Sequence, residues 1–103
     1  MARSKKGRPH FAMITEEMIK SEAYKRLTNA SRTAYLLLKA QCYRSDQIEV
    51  KLPYSQTQEY MHKHTFTRAI RELEDLGFIK ISQRGGMFRK TNIYLLIDNW
   101  KKQ

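Results

Sequence analysis

The chain has 103 residues, 41% hydrophobic and 29% charged, which is enough apolar content for one domain with one core and too much for full disorder. Its 20 Lys and Arg against 10 Asp and Glu leave a formal charge of +10, which excludes a generic neutral domain and asks for a polyanionic partner. The apolar runs are too short for a membrane-spanning helix, no apolar stretch follows the basic N-terminus as in a signal peptide, and the single cysteine, Cys42, excludes a disulfide scaffold or a zinc finger. A cytoplasmic protein is expected.

In chain order, residues 1–10 hold Arg3, Lys5, Lys6 and Arg8 with no acid, beside Gly7 and Pro9, and read as a disordered basic arm. The folded domain is expected over 11–103. Thr15 can cap a helix that opens with Glu16 and Glu17, acids suited to a helix N-terminus. Met18, Ile19, Ala23 and Leu27 give that segment an apolar stripe, and Ser21 can divide it into two short pieces. Thr28 offers a second cap for the strongest helical segment, Asn29 to about Arg44, with Ala30, Ala34, Leu37, Leu38 and Gln41 on one face. Tyr35 and Leu36 widen its apolar surface beyond that face and, with the N-terminal helix, are the basis for expecting a homodimer.

Ile48 to Leu52 alternates like a brief strand that Pro53 ends. Tyr54 and Ser55 open a predicted helix to about Met61, and His62-Lys63-His64 is a polar break. Thr65 is the expected cap of a helix over 65–76, with Gly77 at its C′ position. The period then changes to a strand over Phe78–Ser82, a Gly85-Gly86 turn and a second strand over Thr91–Ile97, with Trp100 beyond it. The expected fold is mainly α with a small β-sheet, a three-helix core followed by a β-hairpin. Two helices joined by a turn form a known DNA-reading unit whose second helix enters the major groove.

Charge is clustered. Residues 14–62 are almost neutral, whereas 63–71 hold Lys63, Arg68 and Arg71 without an acid, and 76–97 hold Lys80, Arg84, Arg89 and Lys90 without one. On the predicted helix 65–76, Phe66, Ala69, Ile70, Leu73 and Leu76 fall on one side, and Thr67, Arg68, Arg71 and Asp75 point away. Glu72, Glu74 and Asp75 gather at its C-terminal end, the reverse of what the helix dipole favours, so local stability leaves the arrangement unexplained and duplex binding explains it. Arg68 and Arg71 suit guanine edges, Thr67 a phosphate or thymine methyl, and Lys63 and His64 phosphates near the turn, and Thr65 joins them in the expected DNA-binding set.

At these residues the sequence resembles the winged helix-turn-helix family. Arg71-Glu72-Leu73-Glu74-Asp75-Leu76-Gly77-Phe78-Ile79 is similar to the end of a recognition helix and the strand after it, and Arg84-Gly85-Gly86 with Asn92-Ile93-Tyr94-Leu95 to a wing and its return strand. Ser21-Glu22-Ala23-Tyr24, Leu27-Thr28 and Ala34-Tyr35-Leu36-Leu37 resemble small winged-helix regulators and replication initiators of bacteria, phages and plasmids. The resemblance spans about residues 15–98 and departs from the family at Met61-His62-Lys63-His64, where a glycine is usual. It implies sequence-specific double-stranded DNA binding by a transcriptional regulator found on the nucleoid, with helix 65–76 in the major groove. The wing over 78–97 would lie on the backbone or minor groove, through Arg84, Arg89 and Lys90, and the basic arm along a minor groove. Replication initiation, partition on a mobile element, and a protein-interaction module with a partner for Met87 and Phe88 are the alternatives. RNA binding lacks an aromatic sheet motif.

No catalytic signature accompanies these features. There is no Gly-rich phosphate loop or nucleophile elbow, Cys42 reads as a small core residue, and His62 and His64 have the wrong spacing for a helical metal pair. The expectation is therefore no enzyme activity, cofactor, metal or small-molecule ligand.

Overall fold

The computed structural model describes residues 13–45, 49–83 and 92–102, with backbone only for 42–45. The arm residues Arg3, Lys5, Lys6 and Arg8, the side chain of Cys42, and the tip residues Arg84, Gly85, Gly86, Met87, Phe88, Arg89 and Lys90 lie outside the described residues. The described chain is an α+β fold with four α-helices and one three-stranded antiparallel sheet.

The first two helices are single turns, each started by a hydroxyl. Thr15 Oγ accepts from the Met18 N–H ahead of α1 (Glu16–Ile19), and Ser21 Oγ accepts from the Tyr24 N–H ahead of α2 (Glu22–Arg26). Turns this short are not stable alone, so their packing holds them. Met18, Ala23 and Leu27 are buried, whereas Ile19, expected on the same stripe, is 49% exposed. Helix α3 (Asn29–Ser45) is the long central element, with Ala34 and Leu38 fully buried.

Tyr35 departs from expectation. It is only 2% exposed, because its ring packs edge-on to Phe78 at 5.4 Å, so it belongs to this chain's own core and offers no surface to a second copy. Leu36 stays 42% exposed.

Strand β1 (Glu49–Lys51) follows, and Pro53 ends it as expected. The predicted helix 54–61 is a correction: only a 3-10 turn forms, Tyr54–Gln56, followed by turns through Tyr60. Thr57 is the physical reason. Its buried hydroxyl donates to the Tyr54 carbonyl at 3.0 Å, and the N–H groups of Thr57 and Gln58 converge on the same oxygen, so the carbonyl is claimed locally.

Helix α4 (Lys63–Asp75) begins two residues before the predicted start, because His62 rather than Thr65 caps it: His62 Nδ1 accepts from the His64 N–H at 3.3 Å. Its far end closes as expected. Gly77 has φ 87°, its N–H donates to the Glu74 carbonyl, and the Phe78 N–H donates to the Leu73 carbonyl, the two bonds of a Schellman cap.

Strands β2 (Ile79–Gln83) and β3 (Ile93–Leu96) complete the sheet in the order β1-β3-β2. The register pairs Val50 with Tyr94 and Tyr94 with Ile81, and an irregularity falls between Ile81 and Gln83. A final 3-10 turn, Asn99–Lys102, carries buried Trp100 back onto the core. Phe78 is the hub: fully buried, it meets Tyr24, Tyr35 and Trp100 at 6.3, 5.4 and 6.0 Å between ring centroids. Among the described residues no helix is long and apolar enough to cross a membrane.

Candidate nucleic-acid interface

The two faces of α4 divide as its sequence requires. Phe66, Ala69, Ile70 and Leu73 are buried against α3 and the sheet, and Leu76 is half-buried at the end. Lys63, His64, Thr67, Arg68, Arg71 and Asp75 are exposed, and Thr65 is half-buried. The structure thus brings six predicted site residues, Lys63, His64, Thr65, Thr67, Arg68 and Arg71, onto one helix.

Arg68 and Arg71 make no ion pair or hydrogen bond among the described residues, although Glu72 lies one turn from Arg68, and Glu74 and Asp75 within a turn of Arg71. Both guanidinium forks remain open to an outside acceptor, and Arg suits planar acceptors that can be bonded at two points. The basic end of α4 adds two imidazoles, His62 and His64, stacked at 5.3 Å with 22° between their planes. No acid lies in the first turn. The partial positive charge of the helix N-terminus and the Lys63 ammonium therefore share one sign and one place.

Two recesses flank this face. A cleft of about 180 Å³ runs between α4 and the sheet, floored by Phe66, Ile70, Ile81 and Tyr94 and rimmed by Thr67, Arg71, Glu74 and Asn92. Asn92 Nδ2 donates to the Tyr94 hydroxyl at 3.3 Å. The second, about 340 Å³, lies between α4 and the start of α3 and is lined by Thr28, Ala30, Thr65, Arg68, Ala69 and Glu72. Asn92, the residue before β3, comes to this rim through the fold, and its spacing along the chain does not reveal that place.

The acids of α4 need a correction. Glu72 is not a charge left at the wrong end of its own helix: its Oε1 accepts from the Thr28 N–H at 2.9 Å, the Thr28 hydroxyl at 3.1 Å and the Ser31 hydroxyl at 2.5 Å. Thr28 Oγ also accepts from the Ser31 N–H, so Thr28 caps α3 while Glu72 satisfies the N–H of Thr28 itself. This is a capping box whose carboxylate comes from another helix, 44 residues away in the chain. Burial of Glu72 opposes its ionisation, but the bonds from the Ser31 hydroxyl and from the Thr28 N–H and hydroxyl outweigh it and hold the carboxyl below the ordinary glutamate value. The stability of the long helix, rather than any ligand, accounts for this acid. No signal in a single sequence links positions 28, 31 and 72.

No family model, curated protein or solved structure matches the chain.

Proposed function

We propose that the chain is a winged-helix protein, with the 3-10 turn Tyr54–Gln56 where a helix-turn-helix has its first helix, that it binds double-stranded DNA sequence-specifically, and that its role is transcriptional control by occupancy of its site. Helix α4 would enter the major groove, with the β2–β3 hairpin as the wing. One observation carries this reading: Arg68 and Arg71 stand exposed and without a partner among the described residues, beside Thr67, on a helix whose other face is buried. A helix fixed on one side and basic on the other has the form of a major-groove reader, and unpaired arginines can bond guanine O6 and N7 together. The sheet order β1-β3-β2 and the placement of β2 directly after α4 agree with the winged variant. The excess charge of +10 supports a phosphate-driven affinity that weakens steeply with salt.

Selection from a random duplex pool at physiological salt tests the reading. Enrichment of a defined motif is expected. Retention of DNA with no motif removes the sequence-specific part, and no retention at all overturns the proposal.

A further inference from the structure

We infer that Thr28 and Ser31 form a latch that keeps the Glu72 carboxylate away from Arg68, so that Arg68 stays available to DNA. The inference rests on the DNA reading for its consequence and on geometry for its mechanism. Arg68 and Glu72 are one helical step of four apart and line the same recess, a spacing at which opposite charges pair on an exposed helix. They do not pair here. The carboxylate turns toward α3 instead, where Oε1 takes three donors, one from the backbone and two from hydroxyls. Hydrogen bonds to an ionised acceptor are the strong ones, so the α3 terminus outcompetes a solvent-exposed ion pair for this charge.

Ser31 is fully buried, and its hydroxyl lies 3.5 Å from the Ala69 carbonyl as well as 2.5 Å from Glu72. The latch therefore sits in the seam between α3 and α4 and not on the binding face. Thr28 and Ser31 act through Glu72 on Arg68: they are positioning residues. Without their hydroxyls, the cation one turn away on the same face and in the same recess is Arg68, and Glu72 would compete with DNA for it.

A mutant cycle tests this with the full chain and a short duplex at low salt. Ser31→Ala, and Thr28→Ala with Ser31→Ala, are expected to weaken binding about two- to fivefold, the scale of an exposed ion pair. Adding Glu72→Gln to either background should restore the affinity, because the competing charge is gone. Loss of affinity that Glu72→Gln fails to restore, or no loss at all, overturns the latch. Ser31→Ala alone carries the test if the double variant does not fold. A readout without DNA separates this inference from the functional reading. The Arg68 Nε–H NMR signal should follow the Glu72 titration in the hydroxyl-less variants and be insensitive to it in the wild type. A signal that behaves alike in both overturns the latch, whatever the chain does with DNA. Equal duplex binding by wild type and Arg68→Ala instead removes the role of Arg68 in the interface and leaves the latch to the NMR result.

Discussion

The indole of Trp100 lies nearly parallel to the Phe78 ring, with centroids 6.0 Å apart and 10° between the planes. Backbone bonds hold the stack in place. The Trp100 N–H donates to the Gly77 carbonyl at 3.0 Å, and the Ile97 N–H donates to the Phe78 carbonyl at 3.1 Å. The corner between α4 and β2 is thereby clamped by the final turn of the described chain. Trp100→Ala should cost about 3–5 kcal/mol, the range for emptying a large aromatic from a core. Urea unfolding followed by far-UV circular dichroism measures it, and a loss below about 1 kcal/mol would show that the final turn is only loosely docked.

Gly77→Ala is expected to destabilise for two separate reasons. The residue sits at φ 87°, where a side chain costs about 1–2 kcal/mol. A Cβ would also lie 2.8 Å from the Asn99 carbonyl carbon and from the Trp100 nitrogen, both backbone atoms. The total should exceed the conformational cost alone, and thermal unfolding of the variant gives the answer. A drop no larger than that for an unhindered left-handed glycine would mean that the final turn moves aside.

Acid should expose the contribution of Glu72. Its folded-state titration lies below the ordinary glutamate value, so its stabilisation is fully present above about pH 4.3 and is lost as pH falls through the lowered value. The wild type should therefore exceed Glu72→Gln in stability at pH 7, and the difference should shrink in strong acid. Paired urea titrations at both pH values measure it. A difference that stays constant with pH would mean that the carboxyl is not stabilised as the anion.

Arg68→Ala and Arg71→Ala separate two kinds of contact. An arginine that bonds a base edge should cost about 1–3 kcal/mol on the selected sequence and relax preference at one position. One that touches only phosphate should weaken all duplexes alike and lower the salt slope by about 1. Binding isotherms on matched and single-substituted duplexes, at several salt concentrations, distinguish them. Neither effect at either residue would place the contacts away from α4.

Much of this architecture is written locally. The Thr15 cap, the break at Ser21, the buried stripe Phe66-Ala69-Ile70-Leu73 and the Gly77 cap depend on neighbours within a turn or two, so spacing alone reveals them. The misread places have nonlocal or unusual causes. Histidine is not a favoured N-cap, so residue preference points to Thr65 for the helix start that His62 provides. Thr57 is buried and spends its hydroxyl on the Tyr54 carbonyl, which helical periodicity does not register. Tyr35 turns inward because Phe78, 43 positions on, gives its ring an edge to meet, and Glu72 finds its partners 41 and 44 residues back. The basic face was legible because solvent exposure follows from the opposite face's burial, and the seam that frees Arg68 was not.

The Phe78 hub also sets an order of events. Trp100 is synthesised after every other described core residue, yet it stacks on the ring that Tyr24 and Tyr35 flank. While the chain emerges from a ribosome, α1 to β2 can gather around Phe78, but one side of that ring stays bare until position 100 has cleared the exit tunnel. The platform beneath the basic helix is therefore incomplete until Trp100 is free to stack on Phe78.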